Sequence, residues 1–432
     1  MIDRFGLGIS TASAAAADAF NDGLTRFLQQ QSGANEAFRT ALLDDSGFGL
    51  ARLGLGLALR AEAQITAGNE ELVAASGLRL DKRERSLANA IAFQVSLQFD
   101  VAEAALETHL TVWPTDALAL SLRLALLNVF SSRPDRDVEM LRAVRSVQPA
   151  FADDPFPLAA LAFALQENRE FVEAHEVAME AVRLMPNNAR SAHAAAHTFF
   201  ETGSFEKGER FLETWLVEWE NPGGFACHLG WHSALSALSR ADRQTARMGL
   251  ESLLSFVGRS LAALSDCSSL SWRLTLDGDP NDLPWEALSE IPDLPGNRFG
   301  NAHRAMVLAG LHDVGGLNRY EGVLAELGGL NLLTAQWARS LRLMSAGRHE
   351  EAADVLDSLS PNFRTLGGSQ AQTDVFRETH IAVSLRAGRT LQARRMIEDR
   401  LRQRFSERVR SGSQKRCDRR AIRILSDAPV GQ

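Results

Sequence analysis

The chain has 432 residues, 45% of them hydrophobic and 23% charged, with 46 basic against 54 acidic side chains and a formal charge of −8. Such apolar content excludes wholesale disorder, and the acidic balance lacks the positive field that displaces counterions from nucleic acid, so no nucleic-acid partner is expected. Three cysteines, Cys227, Cys267 and Cys417, are odd in number and form no CxxC pair, which argues against a disulfide framework or zinc ribbon and for a reducing, cytoplasmic setting.

The opening segment, MIDRFGLGISTASAAAADAF, carries Asp3 and Asp18 and lacks a compact leucine-rich run, so no secretory leader is expected. GLGLAL at Gly54 continues a helical pattern without a preceding strand and is not read as a dinucleotide fingerprint. The most apolar stretch, Ala117 to Phe130, is interrupted by Arg123 and falls short of the roughly 20 residues that cross a bilayer. No membrane span is expected. Strand signals are scarce, and Ala, Leu, Glu and Arg dominate stretches with apolar residues three and four apart, which predicts an all-α protein.

Four prolines then set a period. Pro114, Pro149, Pro186 and Pro222 are separated by 35, 37 and 36 residues, and each closes one amphipathic stretch before another begins. That spacing predicts a helix-pair solenoid, an α-α superhelix of the tetratricopeptide kind. Leu158, Leu161, Ala162 and Leu165 fall on a first helix, Ala174, Ala178 and Ala181 on a second, and Phe171 recurs 34 residues later as Phe205. The clearest repeats cover about 99–222 and 331–400, within a single array spanning 1–400. Residues 276–329, with GDPNDLPW, IPDLPGNRFGN and VGGLN, read as irregular loops between helices. The segment 401–432 is a basic tail: from Arg400 onward there are ten basic residues against three acidic ones. It is expected to be a partly disordered, solvated end or an anchor for an acidic partner.

Two identical frames carry the chemistry. His193 and His197 in HAAAH are followed, 35 residues on, by His228 and His232 in HLGWH. Residues four apart share a helix face, and equivalent positions in neighbouring repeats lie side by side, so the four imidazoles should converge. In the register set by Pro186, His193 and His197 are the fifth and ninth residues of a first helix, positions that line a concave groove; His228 and His232 face either that groove or a seam between helices. Paired imidazoles are competent ligands for zinc, iron or copper, so a transition metal is a candidate cofactor, although no HExxH base accompanies them. The bland reading packs each ring against a neighbouring helix.

Asp266 and His303 lie in later helices that can close over the same region, as a base or as groups that complete a site. Arg273 shares a helical face with Asp266 and either neutralises it, grips an anionic ligand, or forms an internal salt bridge. Cys227 and Cys267 adjoin His228 and Asp266 in sequence, but adjacent helical residues diverge by about 100°, so both are read as buried and inert.

The blocks DRFGLGISTASAAAADAF, ETHLTVWPTDALAL, SAHAAAHTFFETGSFEKGERFLE, CHLGWHSALSAL, DCSSLSWRLTLDG and GNAHRAMVLAGL together resemble the tetratricopeptide repeat protein 38 family over nearly the whole chain to about residue 400. The resemblance implies a cytosolic α-solenoid and places His193, His197, His228, Trp231, His232, Asp266, Arg273 and His303 in its polar blocks; it implies no reaction. The chain departs at HLGWH, where Leu229 and Gly230 stand in place of an HNxWH pattern.

Three functions follow as expectations. The first is a binder that takes a peptide, protein or small-molecule ligand in a groove lined by the four histidines, Asp266, Arg273 and His303. The second is a metal-assisted enzyme in which the histidines hold the ion and Asp266 or His303 acts as base. The third is an assembly scaffold, with self-association open.

Overall fold

The computed structural model describes residues 1–219, 225–258, 262–290 and 297–405. These form α-helices joined by short turns, with one isolated bridge, Ile2 to Gly8, and no strand among the described residues. In order, the helices are α1 Ala14–Gln29, α2 Ala34–Asp44, α3 Gly49–Ala61, α4 Ile65–Ser76, α5 Lys82–Val95, α6 Phe99–Val112 and α7 Ala117–Ala125. There follow α8 Arg136–Val147, α9 Phe156–Glu167, α10 Phe171–Leu184, α11 Ala189–Glu201, α12 Phe205–Glu218, α13 Ala226–Ser239 and α14 Arg243–Leu253. The remainder are α15 Ala262–Leu276, α16 Trp285–Ser289, α17 Arg298–Gly310, α18 Val314–Leu327, α19 Asn331–Ser345, α20 His349–Leu359, α21 Gln370–Arg386 and α22 Thr390–Phe405.

Consecutive helices pack as pairs, α1 on α2, α3 on α4, α5 on α6 and α9 on α10. The repeated unit is legible in its turns. Ala63, Leu97, Arg169, Gly203, Ala241 and Gly347 each stand in the left-handed region, with φ from 62° to 73°, in the turn that closes a pair. Glycine suits that position, but four of these six are not glycine, so the turn is dictated by pair packing as much as by composition. Polar caps start many helices: Ser13, Asp116, Asp242, Asn297 and Asp313 each accept a first-turn amide, while Asp81 with Glu84 and Ser369 with Gln372 form reciprocal capping boxes. Where α3 crosses α4, Gly56 and Gly68 face each other closely: a Cβ on Gly56 would stand 2.9 Å from the Gly68 carbonyl oxygen.

The chain divides into two compact units. Among the described residues, one comprises 1–195, 215–219, 225–226 and 258; the other comprises 196–214, 227–257, 262–290 and 297–405. The first is built around Phe20, Phe38, Phe48, Leu53 and Leu120, and is pinned by a buried ion network in which Arg83 meets Asp3 at 2.8 Å and Asp116 at 2.7 Å. The second is built around Trp231, Leu270, Trp272, Met306, Trp337 and Phe376.

Two expectations are corrected. Residues 276–329 are not irregular throughout, because α17 and α18 both lie within them. The caps Asn297 and Asp313 explain why: each turns a Gly- and Asn-rich opening into a helix start. The basic character that begins at Arg400 also starts inside a helix, since α22 runs to Phe405 and Arg400 pairs with Asp374 and Glu378 at 3.0 Å each. The tail from residue 406, like Pro222 and Cys417, lies outside the described residues.

Candidate functional site

Helix geometry sets the first half of the site. His193 and His197 are the fifth and ninth residues of α11, one turn apart on one rigid rod. On α13, His228 and His232 are the third and seventh residues, two places earlier than in α11, because that helix opens at Ala226. One ring nitrogen from each of the four histidines nevertheless lies within 4.8 Å of the others. His197 and His232 meet edge to face at 4.4 Å between ring centres, and His228 meets His232 the same way at 4.9 Å.

The cluster is graded in exposure. His197, His228 and His232 are buried, whereas His193 is half-buried. His197, read from the sequence as groove-lining, and His232, read as facing groove or seam, are thus both buried side chains. Burial pushes the His197 and His232 imidazoles well below their ordinary value, with neighbouring imidazoles adding to the effect: His228 for His197, and His197 and His228 for His232. Both rings are thus neutral nitrogen donors at physiological pH.

Asp266 and His228 do come together. Both carboxylate oxygens of Asp266, on α15, stand 3.1 Å from Nδ1 of His228. A carboxylate there fixes the tautomer with the proton on Nδ1 and the lone pair on Nε2. Trp231 stacks parallel to His228 at 5.4 Å and stands edge-on to His232 at 4.8 Å, so the one-turn spacing of HLGWH also packs its own indole against its imidazoles.

Arg273 takes the internal salt-bridge role. Its Nε donates to Glu378 of α21 at 3.1 Å, and other guanidinium nitrogens donate to the Ala371 carbonyl at 3.0 Å and to the Ser269 hydroxyl. The guanidinium also lies over the Trp231 ring at 5.8 Å, which ties the α15–α21 ion pair to the wall of the histidine cluster. Glu378 was not singled out by the sequence, since nothing local in RETHIAV marks its partner 105 residues away.

His303 is held differently. Its Nδ1 lies 2.7 Å from the Phe299 carbonyl, one turn back on α17, and burial pulls its pKa down to about 4, with Arg273 adding to the lowering. Cys227 and Cys267 are buried together; the hydrogen bond from Cys267, burial and the Asp266 charge all push the Cys227 thiol up, so it stays protonated.

No family model matches the chain. Among solved structures it is similar to yeast Tom70, at 14% identity over 96% of this chain and 95% of that one, with a TM-score of 0.38. It is also similar to a human IFIT1 dimer with PPP-AAAA, at 14% identity over 99% and 98% and a TM-score of 0.39, and to the P58(IPK) TPR domain, at 13% identity over 89% and 99% and a TM-score of 0.24. Likenesses this distant transfer neither a ligand nor a partner to the chain. No helix among the described residues is long and apolar enough to cross a membrane.

Proposed function

We propose that the protein holds a divalent transition-metal ion, of the zinc class in its ligand preference, at His193, His197, His228 and His232. The observation that carries this reading is the convergence of four ring nitrogens within 4.8 Å. Four nitrogens at about 2.1 Å from one ion lie about 3.4 Å apart in a tetrahedron, about 1.4 Å inside the 4.8 Å limit that the four rings already meet. Two further features fit a metal site: His197 and His232 are neutral, and Asp266 orients His228 from behind, as a carboxylate does for metal-bound imidazole.

In this reading Asp266 is a positioning residue, because its two oxygens are directed at His228. The family resemblance, the cytoplasmic setting and a scaffold that engages protein partners through its helix pairs belong to the same proposal. A second reading, ligand binding without metal, draws on the half-buried face of His193, which stacks on Phe163 at 5.4 Å and meets Phe225 edge-on at 5.2 Å.

Elemental analysis of tag-free protein by inductively coupled plasma mass spectrometry tests the proposal. One ion per chain is expected, and its loss from a His193→Ala, His197→Ala double variant. Metal-free wild type that also fails to take up zinc from solution would overturn it.

A further inference from the structure

Arg190 stands three residues before His193 and seven before His197 on α11. At 100° per residue it lies within about 60° of both, so the three side chains form one stripe along the helix. The stripe runs inward: Arg190 and His193 are half-buried and His197 is buried. Arg190 and His193 thus stand at the more exposed end of the stripe.

Arg190, like the half-buried Arg60, is paired differently from the buried Arg83, Arg123 and Arg273. Arg83 is paired with Asp3 and Asp116, Arg123 with Glu103 and Glu139, and Arg273 with Glu378. Arg190 donates its Nε to the Leu28 carbonyl at 2.9 Å, one of the last carbonyls of α1, which have no helical amide of their own. Among the described residues no carboxylate faces it, and burial alone acts on its guanidinium, pulling it down to about 10. A half-buried guanidinium without a counter-charge is costly, and the anchor to Leu28 leaves the terminal nitrogens as a fork that matches two oxygens of an anion.

We infer that Arg190 binds the anionic group, a carboxylate or a phosphate, of a small ligand that lies along the His193 side of the cluster. The flanking rings of Phe163 and Phe225 give that ligand an apolar wall and favour a molecule with a hydrophobic body. The inference rests on the metal proposal only in placing the ligand's remaining polar group at the ion; the anion contact stands on Arg190 itself.

The test is isothermal titration of the full chain with benzoate, acetate and inorganic phosphate, each run on chelator-treated and on zinc-loaded protein, for wild type, Arg190→Gln and Arg190→Lys. At least one of the three anions is expected to bind wild type, with affinity weakened roughly tenfold or more in Arg190→Gln and only partly restored by Arg190→Lys, which keeps the charge but loses the fork. Benzoate tighter than acetate assigns the aromatic wall; phosphate tighter than both assigns a phosphorylated ligand. No binding of any of the three to wild type, or equal affinity in Arg190→Gln, overturns the inference. If Arg190→Gln does not fold, Arg190→Lys decides, since unchanged carboxylate affinity there refutes the fork. Zinc uptake in the same samples judges the metal proposal separately, because anion affinity is read with and without the ion.

Discussion

His303 provides a quantitative check on the electrostatics of the second unit. Its imidazole is buried and its pKa is pulled from 6.5 to about 4. A histidine with a depressed folded-state pKa stays neutral in the native protein while the unfolded chain takes up a proton below about 6.5. Its contribution to stability is therefore complete above that pH and is lost as pH falls toward 4. The shift corresponds to about 3 kcal/mol once both states are protonated, and about 2 kcal/mol of it is already lost between pH 7.5 and 5.0. His303→Asn removes the titrating group while keeping a polar side chain near the Phe299 carbonyl. Native-state hydrogen exchange of α17, corrected for intrinsic rates, reads the difference locally: on going from pH 7.5 to 5.0, protection in wild type should fall about 30-fold more than in the variant. The comparison cancels the titration of His197, His232 and the carboxylates. Equal loss of protection in the two proteins, or a His303 nuclear magnetic resonance titration centred near 6.5, would refute the argument.

Other expectations follow from particular contacts. Asp266→Ala removes the carboxylate behind His228 and should weaken zinc binding 10- to 100-fold in competition with a chromophoric chelator; unchanged affinity would mean that His228 needs no orienting partner. Gly56→Ala would place a Cβ 2.6 Å from Leu72 Cγ and 2.9 Å from the Gly68 carbonyl, so it should destabilise the first unit by about 1–3 kcal/mol, visible as a lower Tm. A neutral effect would show that α3 and α4 separate easily.

Much of this architecture was legible in the sequence. The proline period and the recurrence of Phe171 as Phe205 marked the helix pairs, and Phe171 and Phe205 do open α10 and α12. The two i, i+4 histidine frames foretold a cluster because helical spacing and repeat spacing are both local in sequence. What depends on contacts between distant segments was not legible. Arg273 had an acidic neighbour seven residues away and a partner 105 residues away, and only folding shows its bond to Glu378. Arg190 gave no signal because a missing counter-charge is visible only once burial is known. The helices α17 and α18 were obscured by Gly and Asn residues whose caps, Asn297 and Asp313, look like loop composition when read without geometry.

Anomalous diffraction at the K edge of the metal found in tag-free protein shows whether the four imidazoles share one ion. A single strong peak is expected within about 2.3 Å of a ring nitrogen from each of His193, His197, His228 and His232. A peak at other residues, or crystals soaked in zinc with no peak among these four rings, would contradict it.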